Sequence, residues 1–374
     1  MKNGVIGMGE RILFSAYPLL PVNENSAGGA EQVLWNLQRE MSAKGYRVTT
    51  AACADSSVDG QLFATGSPAR GSLASAKSHE DCHATKCLEL LRVRDAIGTG
   101  FSLVHDHSGS FFTHAHKFPS VPVLATLHLP RSFYPKNAFD RVAPNVSFNC
   151  VSKAQAKTFS DLPRMLGYVE NGIAVNRFDL QTKKQDYVLW LGRICEEKGT
   201  HVALDAAAKA GVPIVIAGSV YPFAYHQAYF EHSILPRLQK MGDQARFVSA
   251  PSFATKLELL RNARSLLITS TAEETSSLVA MEAAVCGTPV VAVKRGALPE
   301  IVEHGVTGIL ARNEAKLVQA IGEVSSIRPQ ACRIHAVENF SAARMADDYR
   351  KLYSKLIRKN VVPIRPSEWQ PMAA

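Results

Sequence analysis

The sequence predicts an α/β protein in which two domains of alternating strands and helices face each other across a cleft. Buried apolar runs alternate with helical patterns along the chain, as expected for consecutive βα units. A chain of 374 residues is long enough for two domains of ordinary size. We place the first domain at residues 1–178 and the second at residues 179–342, each with a Rossmann-like order of elements.

The first domain opens with a βαβ unit, predicted as a strand, a helix and a strand at residues 11–16, 30–43 and 46–52. Gly28 and Gly29 lie between the first strand and the helix. Without side chains they let the backbone approach a ligand closely. Residues 55–80 are rich in Ser, Gly and Ala and predict an irregular excursion before the next helix.

Histidines in the first domain form two His-x-His pairs, which are His105, His107, His114 and His116. A transition-metal site usually also recruits a cysteine or a carboxylate at a fitting spacing, so we expect no metal there. His128 follows a predicted strand at residues 121–127, and open α/β sheets bind their ligands at such strand ends. His128 is therefore a candidate site residue, and a purely structural histidine is the alternative.

The second domain begins with a predicted strand at residues 187–191, followed by Gly192, Arg193 and, five residues later, Lys198. Arg can bind phosphate through two parallel hydrogen bonds, and Lys adds a compact positive charge. The two cations are therefore candidates for binding an anionic ligand. The alternative is a surface pair that is neutralised by the two glutamates between them.

Residues 266–292 predict a buried strand, a polar loop, a short helix and a second buried strand. The helix is predicted at residues 277–286, with Ser276 or Ser277 as its cap and Gly287 at its end. The free amides at such a helix start attract phosphate oxygens.

Two glutamates flank this helix start. Glu274 lies in the loop and Glu282 in the helix, on the order of 12 Å apart if the whole segment were helical. This is wider than the roughly 5–9.5 Å of a glycosidase pair. It suits the two ends of a long ligand with an anion in its middle, such as a nucleotide-sugar. The alternative is two solvated surface glutamates.

Composition excludes several classes of protein. The net charge is +9, but the basic residues are spread out, so no nucleic-acid partner is expected. The densest basic segment, residues 344–365, predicts a solvated helix face, with weak contact to a membrane surface as the alternative. Seven scattered cysteines without a CxxC pair predict reduced thiols in a cytoplasmic protein, with neither a disulfide framework nor a zinc site.

One stretch resembles a known family. Glu274, seven intervening residues, Glu282, Ala283 and the run Gly287-Thr288-Pro289-Val290-Val291 resemble the signature of the retaining glycosyltransferases of family 4, which have the GT-B fold. The resemblance extends along most of the chain. Many members carry Phe-Gly where this chain has Ser276-Ser277, in a loop that touches the sugar, so the donor sugar stays open.

The resemblance implies transfer of a hexose, with retention of configuration, from a UDP- or GDP-sugar to an unidentified acceptor. It implies that the reaction needs no metal and no cofactor besides the sugar nucleotide. It also implies that the last helix, about residues 343–374, packs back on the first domain. The catalytic residues it implies are Glu274, His128, Arg193 and Lys198. The donor-binding residues it implies are Gly28, Gly29, Gly192, Thr275, Ser276, Ser277, Leu278, Val279 and Glu282.

Two other functions fit the same two-domain frame. One is a sugar epimerase or a phosphorylase, although no lysine could be identified as the anchor of a phosphorylase cofactor. The other is a non-catalytic subunit that binds a nucleotide-sugar. The sequence leaves the oligomeric state open.

Overall fold

The computed structural model describes residues 9–26, 28–68, 76–221 and 223–360 and contains two parallel sheets. The first sheet has seven strands in the order β3-β2-β1-β4-β5-β6-β7. In chain order they are β1 (Arg11–Ser15), β2 (Arg47–Ala52), β3 (Gln61–Ala64), β4 (Leu103–Asp106), β5 (Val123–Leu127), β6 (Val146–Cys150) and β7 (Met165–Tyr168).

The second sheet has six strands in the order β10-β9-β8-β11-β12-β13. In chain order they are β8 (Val188–Leu191), β9 (Ile214–Gly218), β10 (Ala245–Ser249), β11 (Ser265–Ile268), β12 (Val290–Val293) and β13 (Gly308–Ala311). In each sheet the strand order runs outward in both directions from a central pair, β1 and β4 in the first and β8 and β11 in the second. The predicted α/β architecture of two Rossmann-like domains is confirmed.

Helices cover these sheets. They are α1 (Gly29–Ala43), α2 (Ala76–Ala96), α3 (Lys153–Thr158), α4 (Thr200–Ala210), α5 (Ala224–Tyr229), α6 (Leu235–Met241), α7 (Phe253–Asn262), α8 (Leu278–Val285), α9 (Leu298–Ile301), α10 (Leu317–Glu323), α11 (Pro329–Asn339) and α12 (Ala342–Asn360). Within the described ranges, none of them is both long enough and apolar enough to cross a membrane.

Alternate side chains of β1 contribute to the hydrophobic cores on the two opposite faces of the first sheet. Ile12 and Phe14 pack with α1 and α12 on one face, and Leu13 packs with α2 on the other. Successive side chains of a strand point to opposite faces, so a five-residue strand can supply both. All three side chains are fully buried.

The last helix of the described chain, α12, packs against α1 of the first domain. It buries Tyr349 and Tyr353 completely, and Lys44 forms an ion pair of 2.9 Å with Asp347. The remainder of the predicted return helix, residues 361–374, lies outside the described residues, as do residues 1–8 of the predicted first domain.

The expectation of an irregular excursion at residues 55–80 is wrong in two places. Strand β3 pairs in parallel with β2 along the edge of the sheet, and α2 starts at Ala76, inside the segment predicted to be irregular. Leu62 and Phe63 are the only large apolar residues of β3, and both are half-buried. An edge strand this short carries little hydrophobic pattern, which explains the error.

Candidate active site at the facing strand ends

The predicted site residues lie at the carboxyl ends of the strands, next to the two points where strand order reverses. Open α/β sheets form ligand crevices at such points. Two contacts close the space between the domains. Thr275 Oγ1 donates a hydrogen bond of 2.8 Å to the carbonyl oxygen of His128. A Cβ atom placed on Gly29 would lie 3.8 Å from Leu278 Cδ1.

Residues 192–199, here called the basic arm, follow β8 and carry both predicted cations. Lys198 Nζ lies 2.7 Å from Glu274 Oε1. Arg193 lies 3.0 Å from Glu197 Oε1, and its Nε is buried without a hydrogen-bond partner among the described residues. Arg193 therefore pairs with a glutamate of the arm itself, whereas Lys198 reaches Glu274 in the loop after β11.

Two glycines fix the path of the basic arm. Gly199 has φ of +66°, and a Cβ atom on it would overlap the carbonyl oxygen of Thr269 at the end of β11. The second is Gly218, the last residue of β9. A Cβ atom on Gly218 would overlap the carbonyl oxygen of Gly192, the first residue of the arm. The arm therefore lies directly against both adjacent strand ends.

Glu274 is held in place from several sides. Ser270 donates to the same oxygen, Oε1, that Lys198 contacts. The backbone oxygen of Glu274 accepts from Ala297 N at 2.8 Å, and Gly296 packs so tightly beneath it that no side chain would fit. Only 11% of the Glu274 side chain is exposed, which excludes the alternative of a solvated surface glutamate.

Helix α8 begins at the predicted position but without the predicted serine cap. Ser277 is the N-cap residue, and its side chain makes no capping hydrogen bond. Its ψ is 93°, whereas Ser152 and Ser252, whose side chains do cap helices, have ψ of 161° and 163°. The first helical amides, those of Leu278 and Val279, have no intrahelical acceptor. Ser276 Oγ is also buried without a partner among the described residues.

Glu282 lies in α8 as one half of a buried ion pair. Its Oε1 is 2.8 Å from Lys256 Nζ of α7, and the two side chains are 7% and 18% exposed. A carboxylate this buried requires a partner, and Lys256 provides it. The alternative of a solvated surface glutamate is excluded for this residue as well.

His128 belongs to a row of three histidines. Its Nε2 lies 2.9 Å from His107 Nδ1, and His107 Nε2 lies 3.2 Å from His105 Nδ1. The row continues to Tyr353 of α12, whose hydroxyl is 2.6 Å from His105 Nδ1. Burial lowers the pKa of His128 to about 4, so its ring is neutral at pH 7. His114 does not take part in this row.

The glycine loop after β1 leads into α1. Gly28 is the N-cap residue of α1, and a Cβ atom on it would overlap the Glu31 carboxylate. Glu31 is 4% exposed, and burial raises the pKa of its carboxyl to about 7. The absence of a side chain at Gly28 therefore leaves space for the buried Glu31 carboxylate.

Several residues that support the site carry no recognisable sequence pattern. Lys256 is far from Glu282 in the chain, and no spacing rule connects α7 with α8. Gly296 reaches Glu274 only because β11 and β12 are adjacent. His107 could have been found, because β4 and β5 are consecutive and adjacent strands and His107 and His128 follow their ends.

The two doubly wound sheets and the site between them define a two-domain α/β protein of the GT-B class. Residues 173–336 match the family model described as glycosyl transferases group 1. The match covers most of the second domain, and the two-domain architecture is the GT-B fold.

Among curated proteins, the D-inositol 3-phosphate glycosyltransferase of Mycolicibacterium paratuberculosis is 32% identical over 191 residues. That match covers 47% of this chain and 41% of the relative, so the chain spans about two fifths of the length of the curated relatives it matches.

Solved structures agree on the fold over most of the chain. AviGT4, a glycosyltransferase involved in avilamycin A biosynthesis, has a TM-score of 0.70 at 22% identity and covers 93% of this chain and 98% of its own. Anabaena HepE in complex with UDP-glucose has a TM-score of 0.72 at 18% identity and covers 92% of this chain and 99% of its own.

Proposed function

We propose that the protein transfers a hexose from a UDP- or GDP-sugar to an acceptor, with retention of configuration and without a metal. The observation that carries this proposal is the convergence of the basic arm, Glu274 and the start of α8 at one strand-order reversal. The names of the relatives support it. One relative is an inositol-phosphate glycosyltransferase, and the HepE structure contains UDP-glucose.

In this proposal the basic arm stabilises the diphosphate that leaves as the glycosidic bond breaks. Arg193 and Lys198 supply positive charge, and the free amides of Leu278 and Val279 supply hydrogen bonds. Preorganised donors of this kind stabilise developing charge without the reorganisation that water requires. Ser276 Oγ, buried without a partner among the described residues, is a further donor beside these amides.

Two carboxylates hold the ends of the donor in this proposal. Glu274 orients the sugar hydroxyls, and Glu282 binds the ribose hydroxyls. Both contacts to Glu274 described above use Oε1, which leaves Oε2 to the sugar. A bound diphosphate competes with Glu274 for Lys198, so we expect donor binding to lengthen the 2.7 Å ion pair.

His128 contacts the sugar from the first domain. As a neutral ring it can donate or accept a hydrogen bond, and it cannot act as a general acid near pH 7. His107 fixes its orientation from behind. The leaving phosphate takes the proton of the acceptor hydroxyl, so no side-chain base is required.

The test is donor binding and transfer by the full-length chain. UDP-, GDP- and ADP-sugars are first screened by thermal shift, because one bound donor raises the melting temperature by mass action. Release of nucleotide and sugar transfer are then followed with the selected donor. A product that is the epimer of the donor sugar, or nucleotide binding without hydrolysis or transfer, would contradict the proposal.

Arg193→Ala and Lys198→Ala should each lower kcat by about 100-fold or more, the loss typical of removing one group that stabilises an anionic transition state. Lys209→Ala is the matched control, because Lys209 is exposed at the far end of α4. Near-normal turnover in both arm variants would refute the assignment of the diphosphate site.

A further inference from the structure

A cysteine, a glutamate and a histidine meet beside the basic arm, although the sequence predicted no metal ligands there. Cys195 and Glu197 belong to the arm, and His226 belongs to α5. One ligand atom of each, Sγ, a carboxylate oxygen and a ring nitrogen, lies within 4.8 Å of the other two. No other trio of metal-ligand side chains converges in this way among the described residues.

His226 lacks the hydrogen bonds that a buried imidazole needs. The residue is 1% exposed, and neither Nδ1 nor Nε2 has a partner among the described residues. Its neighbours are aromatic: the ring centroid of Tyr225 is 4.2 Å away and that of Phe223 is 5.4 Å away. An unsatisfied buried polar group destabilises the folded state, so each native case requires an explanation.

The other two side chains are also placed for a ligand role. Cys195 is fully buried, its Sγ donates a hydrogen bond of 3.5 Å to the Arg193 carbonyl oxygen, and it also lies next to the Glu197 carboxylate. Glu197 Oε1 binds Arg193 at 3.0 Å, and its backbone oxygen accepts from Thr271 N at 3.0 Å. The trio thus joins the basic arm to α5 and to the loop after β11.

We propose that Cys195, Glu197 and His226 form a zinc site that fastens the basic arm to α5. A thiolate, an imidazole and a carboxylate are the ligands that Zn²⁺ takes in proteins, with a tetrahedral fourth position left to water. Metal–ligand bonds of about 2.0–2.3 Å put tetrahedral ligand atoms roughly 3.3–3.8 Å apart. The trio therefore needs to close by no more than roughly 1–1.5 Å on binding, and the Cys195 thiol releases its proton.

This site is independent of the proposed transfer chemistry. Zinc would give His226 the partner it lacks and would hold the arm in place, whereas Arg193 and Lys198 still carry the charge on the diphosphate. If the wild-type chain transfers sugar but binds no zinc, this inference fails and the proposed function stands. If it binds zinc but no sugar nucleotide, the proposed function fails and this inference stands.

The experiment is a titration of the full-length, chelator-treated and tag-free chain with Zn²⁺ by calorimetry. Co²⁺ serves as a spectroscopic probe, because a cobalt–thiolate bond gives a charge-transfer band. We expect one metal per chain, the band, and a higher melting temperature with zinc. Cys195→Ser should abolish the band, and His226→Gln should weaken binding by more than 100-fold, since losing even a hydrogen bond to a ligand costs about 10–100-fold.

Cys82→Ser and His232→Gln are the matched controls, because both residues are exposed and lie outside the trio. Circular dichroism of the metal-free variants checks that they fold, and Glu197→Gln provides a third ligand variant. No binding by the wild type, or binding that survives in Cys195→Ser and His226→Gln, would overturn the proposal. So would loss of the band in Cys82→Ser.

Discussion

Removing one member of the Lys256–Glu282 pair should destabilise the second domain far more than removing both. The two charged atoms are 2.8 Å apart, and the side chains are 18% and 7% exposed. A buried charge without its partner costs about 3–5 kcal/mol, whereas replacing both members by apolar groups of similar size is close to neutral. Lys256→Met leaves Glu282 as such a charge, and the double variant Lys256→Met/Glu282→Met removes it.

A loss of about 3–5 kcal/mol corresponds to a fall of roughly 6–20 °C in the melting temperature of a domain of this size. Differential scanning calorimetry of the wild type, both single variants and the double variant completes a double-mutant cycle. Lys209→Met is the control for removing an exposed lysine. The reasoning is refuted if Lys256→Met melts within about 2 °C of the wild type, or if the effects of the two single variants simply add.

Three further predictions address binding, metal and pH. Glu282→Gln should weaken binding of the free nucleotide diphosphate more than it changes the choice among donor sugars, as measured by calorimetry with nucleotide and by product analysis; the opposite pattern would contradict the ribose assignment. Turnover at a temperature well below melting should survive EDTA, and a strict requirement for a divalent ion in the rate assay would argue against charge stabilisation by the arm. Burial lowers the pKa of His83 from 6.5 to about 4. Between these pH values the His83 ring is mostly protonated in the unfolded chain and mostly neutral in the folded chain. Stability should therefore be complete above about pH 6.5 and fall toward pH 4, with about 2 kcal/mol lost at pH 5 for this group alone; urea denaturation at pH 5 and 8 measures it, and His83→Gln should flatten the difference.

The sequence predicted the elements that carry strong local patterns. Long apolar runs gave the central strands of both sheets, and Gly287 ended α8 where expected because a positive φ of 73° suits glycine there. Strand β3 escaped prediction because its pairing with β2 is a tertiary contact that a four-residue edge strand hardly encodes.

The candidate site was predictable only as far as strand ends could be located. Arg193, Lys198 and Glu274 were identified because they lie in the segments that follow β8 and β11. Their partners depend on which strands are neighbours, and that order is a property of the whole sheet. The meeting of Cys195 with His226 is the clearest case, since more than thirty residues and one strand separate them.

Helix α12 has a consequence for how the chain is made. Tyr349 and Tyr353 complete the core of a sheet whose last strand, β7, ends at Tyr168, about 180 residues earlier. At about 5–20 residues per second, a ribosome needs roughly 9–36 s to cover that distance. For this interval the part of that sheet face which α12 covers stays exposed, and His105 lacks its tyrosine partner. The opening half of the protein therefore matures last, and a chaperone has time to engage its bare apolar face before synthesis ends.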